Sequence, residues 1–393
     1  MKGQSEDPVR LDELRAAARD FVRSELAPLD QQIETEDHFP EEARARLAAA
    51  GYFGLNLPQE YGGRGLGVSG YCAVLEELGS AHAAYFFTID DNNGLGAQLL
   101  LQGGTPEQCR RYLPDMASGR VIASFALTEP EAGSDAGAIR TYARPDGDAY
   151  VLNGRKRFIG NGSSASYFTV IARTRHPSDL DAGITAFIVE RETAGFSIGP
   201  RQPMMGLRGS FQHELEFEDC RIPEANRVGA EGEGLRLAFD GLNLGRLAVA
   251  AWATGVAAYA LELGVAYARD RHQFGQPIGQ FQGVQWLLAD SAAELAAARA
   301  LLRETAATAD RGGARRRDCA MVKLFTTEAA GRIVDRMLQV HGGAGYAKGA
   351  AIERLYRDIR IARIIEGTSE IQRSLIARSL LREASPTPDE ISE

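Results

Sequence analysis

Cysteine is scarce in this chain. The four that occur in 393 residues, Cys72, Cys109, Cys220 and Cys319, show no paired spacing. That excludes a disulfide frame and a thiolate zinc site, and no metal is expected. Scattered thiols of this kind fit a reducing compartment, so a cytoplasmic protein is expected. An unbroken apolar run of about 18 residues, the length a bilayer-spanning helix needs, is also missing, so no membrane span is expected. Met1 to Val9 lacks the apolar core of a signal peptide. Basic excess is absent too: the net charge is -9 and the pI about 5.4. That argues against a nucleic-acid partner. The basic run Arg315-Arg316-Arg317 reads as a solvated loop. No internal repeats occur.

What is present describes a globular enzyme-sized chain. Hydrophobic residues make up 44% and charged residues 25%, enough for two or three domains or one large composite with ample core. The pattern changes twice. Residues 1–120 look helical, 121–230 look like strands, and 231–384 look helical again, with a polar tail at 385–393 expected to be disordered.

In the first part, Leu11, Leu14, Ala18 and Phe21 mark one helical face, expected to end near Pro28. Pro40-Glu41-Glu42 opens a helix closed by Gly51. A third helix covers Ser69 to Leu78, and a fourth runs to Leu101. Thr105-Pro106-Glu107-Gln108 is a helix start with a cap, a first-turn proline and a capping box. Gly65-x-Gly67-x-x-Gly70 fits the dinucleotide fingerprint, with Asp90 roughly 20 residues on. No buried strand precedes it and no βαβ pattern follows, so it reads as a loop.

The middle part alternates β-branched and aromatic residues, as in Tyr167 to Ile171 and Ile184 to Val189, between turns such as Pro145-Asp146-Gly147. It is a barrel or a sandwich. In the last part, Leu235 to Ala268 is apolar nearly all round, which implies a helix buried in a bundle. Leu288, Leu295 and Leu302 mark a second helix. Met321, Phe325, Ala329, Ile333 and Met337 mark a third, and the segment after Thr368 a fourth.

The chemistry concentrates between Gln339 and Arg373. Ile365-Glu366-Gly367-Thr368-Ser369-Glu370-Ile371-Gln372 reads as a helix start. Thr368 or Ser369 can cap it, and Ser369 with Gln372 makes a capping box. Glu366 then stands just before a helix N-terminus. An acid there either favours the macrodipole or serves as a base. Upstream, Gln339-Val340-His341-Gly342-Gly343-Ala344-Gly345 precedes it. Together these two stretches resemble the carboxy-terminal signature of the acyl-CoA dehydrogenase family, whose glutamate at the matching place removes the α-proton of an acyl thioester.

The resemblance extends from about Arg10 to Leu381. It implies an α+β fold: an N-terminal helical domain, a middle β-barrel domain and a C-terminal four-helix bundle. A second signature, Leu127-Thr128-Glu129-Pro130-Glu131-Ala132-Gly133-Ser134-Asp135, resembles the family's flavin loop. By that resemblance Phe125, Leu127 and Thr128 line the flavin ring of FAD, and Ser134 touches its phosphates or the CoA arm. Read without it, the stretch is a structural turn. In Arg155-Lys156-Arg157-Phe158-Ile159-Gly160-Asn161-Gly162 the chain departs from the family. Phe158 stands where a tryptophan usually packs on the flavin. Gly160 stands where a threonine hydroxyl bonds the reactive ring nitrogen, so a shifted flavin potential is expected.

Arg271, Phe274 and Gln282 resemble the family's pyrophosphate and adenosine contacts made from a neighbouring subunit. Gln339, Gly342 and Gly343 complete that site, and Thr368 and Glu370 are assigned to the cofactor as well. Asn243, Arg246 and Gly367 are expected at the thioester. Some members place the base one residue before the arginine matching Arg246, but Gly245 stands there, which leaves Glu366. The segment Asp90-Asp91-Asn92-Asn93-Gly94 matches the base of the acyl cavity. It reads either as a sign of a small or polar acyl group or as a solvated helix-capping turn.

The expected function is FAD-dependent α,β-dehydrogenation of an acyl thioester carried by CoA or by an acyl-carrier protein. Electron-transferring flavoprotein is the implied acceptor and a homotetramer the implied assembly. A flavin oxidase or monooxygenase on the same fold and a non-catalytic flavin-binding protein are the alternatives.

Overall fold

In the computed structural model, which describes residues 8–174 and 183–383, the first apolar face forms α1 (Pro8–Phe21). The chain does not break at Pro28, as the sequence led us to expect. A π-helical turn (Val22–Leu26) and a 3-10 turn (Ala27–Leu29) carry it into α2 (Asp30–Glu36). Pro28 sits in the first residues of the 3-10 turn, where a missing N–H costs little. Next come α3 (Glu41–Ala49) and α4 (Val68–Leu78). The expected fourth helix is two, α5 (Ala83–Asn93) and α6 (Leu95–Gly103), divided at Gly94. A Cβ at Gly94 would lie 2.7 Å from the Asp90 carbonyl oxygen, so the sharp turn there requires glycine. In α7 (Pro106–Ala117) the capping box is complete. Gln108 also donates to the carbonyls of Ala225 and Arg227, 2.8 Å each, tying α7 to the sheet.

The glycine fingerprint has a structural use. Gly67 precedes α4, and the N-terminus of that helix receives a carboxylate from this same chain. The Val68 and Ser69 N–H groups donate to Asp310 at 2.5 and 3.0 Å. The positive helix end is thereby satisfied internally.

The strands are β1 (Ala123–Ala126), β2 (Tyr142–Asp146), β3 (Ala149–Gly160), β4 (Tyr167–Arg173), β5 (Ile184–Glu190), β6 (Phe196–Gln202), β7 (Gln212–Pro223) and β8 (Arg227–Val228). They form one mixed sheet in the order β6-β7-β3-β2-β4-β5-β8, with β1 parallel to β4. Every residue of β4 is buried, because elements cover both faces. The start of β1 lies against the C-terminal end of β3: the Ser124 hydroxyl donates to the Gly160 carbonyl at 2.6 Å.

The bundle consists of α8 (Gly234–Asp270), α9 (Gln282–Asp310), α10 (Arg316–His341) and α13 (Ser369–Glu383). A hairpin of β9 (His272–Gln273) and β10 (Gln276–Pro277) and the short helices α11 (Gly343–Tyr346) and α12 (Ala351–Ile359) lie between them. By length and hydropathy α8 could cross a membrane, but 67% of its most apolar window is buried within the protein. Every residue from Gly245 to Ala257 is buried. Gly255 allows the closest crossing, since a Cβ there would sit 1.8 Å from the Glu76 carbonyl oxygen of α4. Leu295 and Leu302 of α9 and Ala329, Ile333 and Met337 of α10 are buried, as their spacing requires. The basic run is not a loop. Arg315 caps α10, and Arg316 lies over the Phe239 ring at 4.7 Å. A guanidinium on an aromatic face is favourable even at a half-open position.

Candidate active site

Glu366 has a left-handed backbone, φ 55°, and Gly367 follows at φ 90°. A non-glycine residue in that region is strained and persists only where its surroundings hold it. Three groups do so. The Gln372 side-chain amide, fully buried, donates to the carbonyls of Glu366 and Gly367 at 3.0 and 2.9 Å. The buried Lys323 ammonium donates to the Gly367 carbonyl at 2.9 Å. The Thr368 hydroxyl accepts from the Ile371 N–H at 3.3 Å. The cap of α13 is therefore Thr368. Ser369 does not form the expected capping box: its hydroxyl donates to Glu328 at 2.7 Å, while Gln372 serves the turn.

This turn aims the Glu366 carboxylate at α8. Gly245 is where it lands. A Cβ at that position would be 2.6 Å from Glu366 Oε2 and 2.9 Å from its Cδ. Among the described residues, Oε2 is buried with no hydrogen-bond partner. Burial raises the Glu366 pKa to about 7, while Arg246 and Lys323 pull it back down. The opposing influence is thus two buried cations, and the rise exists before any substrate is present. Burial lowers Lys323 to about 8 against the attraction of Glu366. Arg246, buried on α8, donates to Asn243 at 2.8 Å. The sequence reading assigned Arg246 and Asn243 to the thioester end, and Arg246 is among the charges that face Glu366.

Two more carboxyls face Glu366 from α5. Both keep some exposed surface. Asp90 is pushed well above the usual carboxylate range by burial and by the charges of Glu366 and Asp91. Tyr71 donates a long 3.5 Å bond to it. Asp91 is raised to about 7 by burial, against a 3.2 Å hydrogen bond from Asn161. Asn92 and Asn93 turn away from the cleft. Asn92 donates to the Met116 and Val121 carbonyls and accepts from the Ala123 N–H, and Asn93 donates to the Tyr52 carbonyl. The turn is not solvated. Its acids face Glu366, while Asn92 joins α5 to β1 and Asn93 joins it to the turn at Tyr52.

The second wall lies at the ends of β1 and β3. Phe158 sits at a β-bulge with φ 58° and is 51% exposed, with the Arg157 guanidinium over its ring at 4.8 Å. Behind it, Lys156 is buried and donates to Glu129 at 2.7 Å and to the Leu127 carbonyl at 2.9 Å. Glu129 also accepts from the Arg140 and Thr141 N–H groups, and the Arg157 N–H donates to the Thr128 carbonyl at 2.8 Å. These bonds lock Leu127 and Thr128 against β3. Phe125 is half-buried there, and Ser134 lies exposed in the loop beyond. A Cβ at Gly160 would meet nothing closer than Gln212 Oε1 at 3.4 Å, with Asp91 Oδ2 at 4.0 Å. An open aromatic face beside a small residue fits a flat ring such as a flavin.

The remaining cofactor positions lie elsewhere. Along α8, the rise from Arg246 to Asp270 is about 36 Å at about 1.5 Å per residue, so Arg271, Phe274 and Gln282 are remote from Glu366 within one chain. Gln339 is about 24 Å along α10 from Lys323 by the same rise, and Gly342 and Gly343 follow it. Glu370 is exposed on the first turn of α13. The sequence reading did not assign Lys323, Tyr71 or Gln372 to the site. Only Lys323 carried a signal: a lone cation within Ala320-Met321-Val322-Lys323-Leu324-Phe325.

A raised carboxyl pKa means the folded chain prefers the protonated form, so ionisation costs stability as pH rises from the unfolded value through about 7. Glu366→Gln should therefore be more stable than the parent at pH 8, by up to about 3 kcal/mol, with the gap shrinking toward pH 5. Thermal unfolding at the two pH values measures this.

Comparison with known proteins agrees with this arrangement. Residues 10–120 match the acyl-CoA dehydrogenase N-terminal domain, 124–220 the middle domain and 232–381 the C-terminal domain. An acyl-CoA dehydrogenase of Bacillus subtilis is 40% identical over 94% of this chain and 97% of its own length. An acryloyl-CoA reductase (NADH) of Anaerotignum propionicum is 42% identical over 94% of each. The structure of butyryl-CoA dehydrogenase from Megasphaera elsdenii superposes with a TM-score of 0.90 at 34% identity, covering 96% of this chain and 100% of that one. On three matched domains in order, near-complete coverage and a shared fold, the chain belongs to the acyl-CoA dehydrogenase family.

Proposed function

We propose that Glu366 is the base of an FAD-dependent acyl thioester dehydrogenase, taking the α-proton of the substrate. The observation that carries this is a carboxylate oxygen buried without a partner, on a strained turn braced from two sides. A base for a weakly acidic carbon works best with a pKa near the operating pH. Burial supplies that here, and Arg246 and Lys323 keep the ionised form accessible. Bound FAD would supply the hydride acceptor for the β-hydrogen. Phe158, Phe125, Leu127 and Thr128 would hold its ring, with the Lys156–Glu129 pair fixing the loop behind them. The Glu366 backbone N–H would stabilise the thioester oxygen as charge develops.

The acyl end is read from Asp90 and Asp91. Burial raises both carboxyls, Asp91 to about 7, and a protonated carboxyl can donate a hydrogen bond, so the preferred acyl group is short and polar. The carrier is CoA. Phe274 is 92% and Tyr346 82% exposed, surfaces that suit a covered position, so a homotetramer in which Arg271, Phe274, Gln282, Gln339, Gly342 and Gly343 reach a neighbour's FAD is part of the same reading. Family membership supports electron-transferring flavoprotein as acceptor, and four free, buried cysteines suit the cytoplasm.

Glu366→Gln should keep its flavin colour yet bleach at least about a hundredfold more slowly with an acyl-CoA in anaerobic stopped flow; parental bleaching would place the base elsewhere. In an anaerobic acyl-CoA panel, short hydroxylated or amino-substituted chains should reduce the flavin faster than long alkyl ones. A preference for long alkyl chains would overturn the reading of Asp90 and Asp91. Gly160→Thr should fold, since the space at its Cβ is ordinary van der Waals contact. It should also change the flavin midpoint potential in a dye-coupled titration. Equal potentials would mean that Gly160 does not tune the cofactor.

A further inference from the structure

Lys323 is a fully buried lysine on α10 whose ammonium, among the described residues, makes one hydrogen bond, to the Gly367 carbonyl. Burying an ammonium is costly, and an apolar residue of similar shape usually does as well for stability. The turn also has a neutral brace already. Gln372 holds both the Glu366 and the Gly367 carbonyls without any charge. A second donor on the same carbonyl adds little geometry. What Lys323 adds is a positive charge under Glu366.

We infer that Lys323 is a positioning residue that acts through its charge. It steadies the 366–367 turn and sets the pH at which Glu366 becomes a competent base. This rests on the reading of Glu366 as that base.

The charges that face Glu366 make the balance explicit. Asp90 and Asp91 approach from α5, and Tyr71 from α4 bonds Asp90. Arg246 approaches from α8 and Lys323 from α10. Lys323 in turn faces Arg246, which disfavours its charge, and Glu366, Glu328 and Glu370, which favour it. Three acids thus share one cleft with two cations. Arg246 is also bonded to Asn243 and is repelled by Arg316 on α10. Removing Lys323 would leave Arg246, of the two cations that face Glu366, to oppose the effect of burial, and the proton affinity of Glu366 would rise. Removing Gln372 would loosen the same turn and leave the charge balance intact.

The test is the pH dependence of anaerobic flavin bleaching by an acyl-CoA, measured on the flavin-loaded enzyme for the parent, Lys323→Met, Lys323→Gln, Lys323→Arg and Gln372→Met, with Glu366→Gln alongside. An opposite charge close to a carboxylate shifts its titration by about one to three pH units. Lys323→Met and Lys323→Gln should therefore move the acidic limb up by about one pH unit or more, and Lys323→Arg should return it toward the parent. Gln372→Met should slow bleaching with the limb in place. The two neutral lysine variants differ in shape, so either one that folds and binds flavin decides the matter. The inference is overturned if the lysine variants lose rate or flavin with the limb unmoved, or if Gln372→Met moves it equally. If Glu366→Gln bleaches at the parental rate, the base is elsewhere and both readings fall. If that variant is dead while Lys323→Met keeps the parental limb, this inference falls alone.

Discussion

The burial of one carboxylate governs the arrangement of the C-terminal half. Glu366 sits on a left-handed residue before a helix, and neither the backbone nor the burial is favourable locally. Each unfavourable feature is matched by a specific answer from a distant element. Gln372 on α13 bonds the turn's carbonyls, Lys323 on α10 bonds one of them and brings a charge, and Arg246 on α8 brings another. Three bundle helices must therefore keep their spacing for one turn to hold. The long buried stretch of α8, packed on α10 and α4, supplies that rigidity.

The cofactor wall follows the same logic with different parts. Its exposed ring, Phe158, also stands on a left-handed residue, here at a bulge in β3. A bulge re-aims one side chain and leaves the ladder around it unpaired. The neighbouring Lys156 answers by turning inward to Glu129 and the Leu127 carbonyl. Glu129 stays ionised: burial opposes its charge, and Lys156 with two backbone N–H groups outweighs that. One strained residue offered outward, with one ion pair buried directly behind it, gives a rigid open face. Both walls of the cleft thus combine a left-handed residue facing the cleft and a buried lysine behind it.

Much of this was legible in the sequence because it was local. Thr105 to Gln108 specifies its own capping box, and the four-residue step through Ala329, Ile333 and Met337 specifies its own buried face, with Met321 and Phe325 partly exposed at its start. The misreadings share a cause: a residue's partner was far along the chain. Gly67 was read as a plain loop residue because Asp310, which the N–H groups that follow it bind, is 243 residues away by the numbering of the two positions. Ser369 looked like a cap because Glu328, which takes its hydroxyl, could not be seen. Asp90 to Asn93 looked like one polar turn, and only the packed structure shows acids and amides pointing to different neighbours. Pro28 looked like a stop because a helix can change its winding, through π and 3-10 turns, instead of ending.

The proposal that Glu366, and not position 245, supplies the base has a steric argument beyond the presence of glutamate at one of the two. Position 245 lies on the buried side of α8, where the Glu366 carboxylate rests. A Cβ there would stand 2.6 Å from one of its oxygens, well inside contact distance. Even alanine at 245 would push the carboxylate from its seat, and a glutamate would compete with it for the same volume. In this chain, side chains at 245 and 366 therefore exclude one another in space. Moving the base between the helices requires two coupled changes, a carboxylate gained at one position and a side chain removed at the other. In this chain the glycine is as informative as the glutamate, because it is the empty half of the pair.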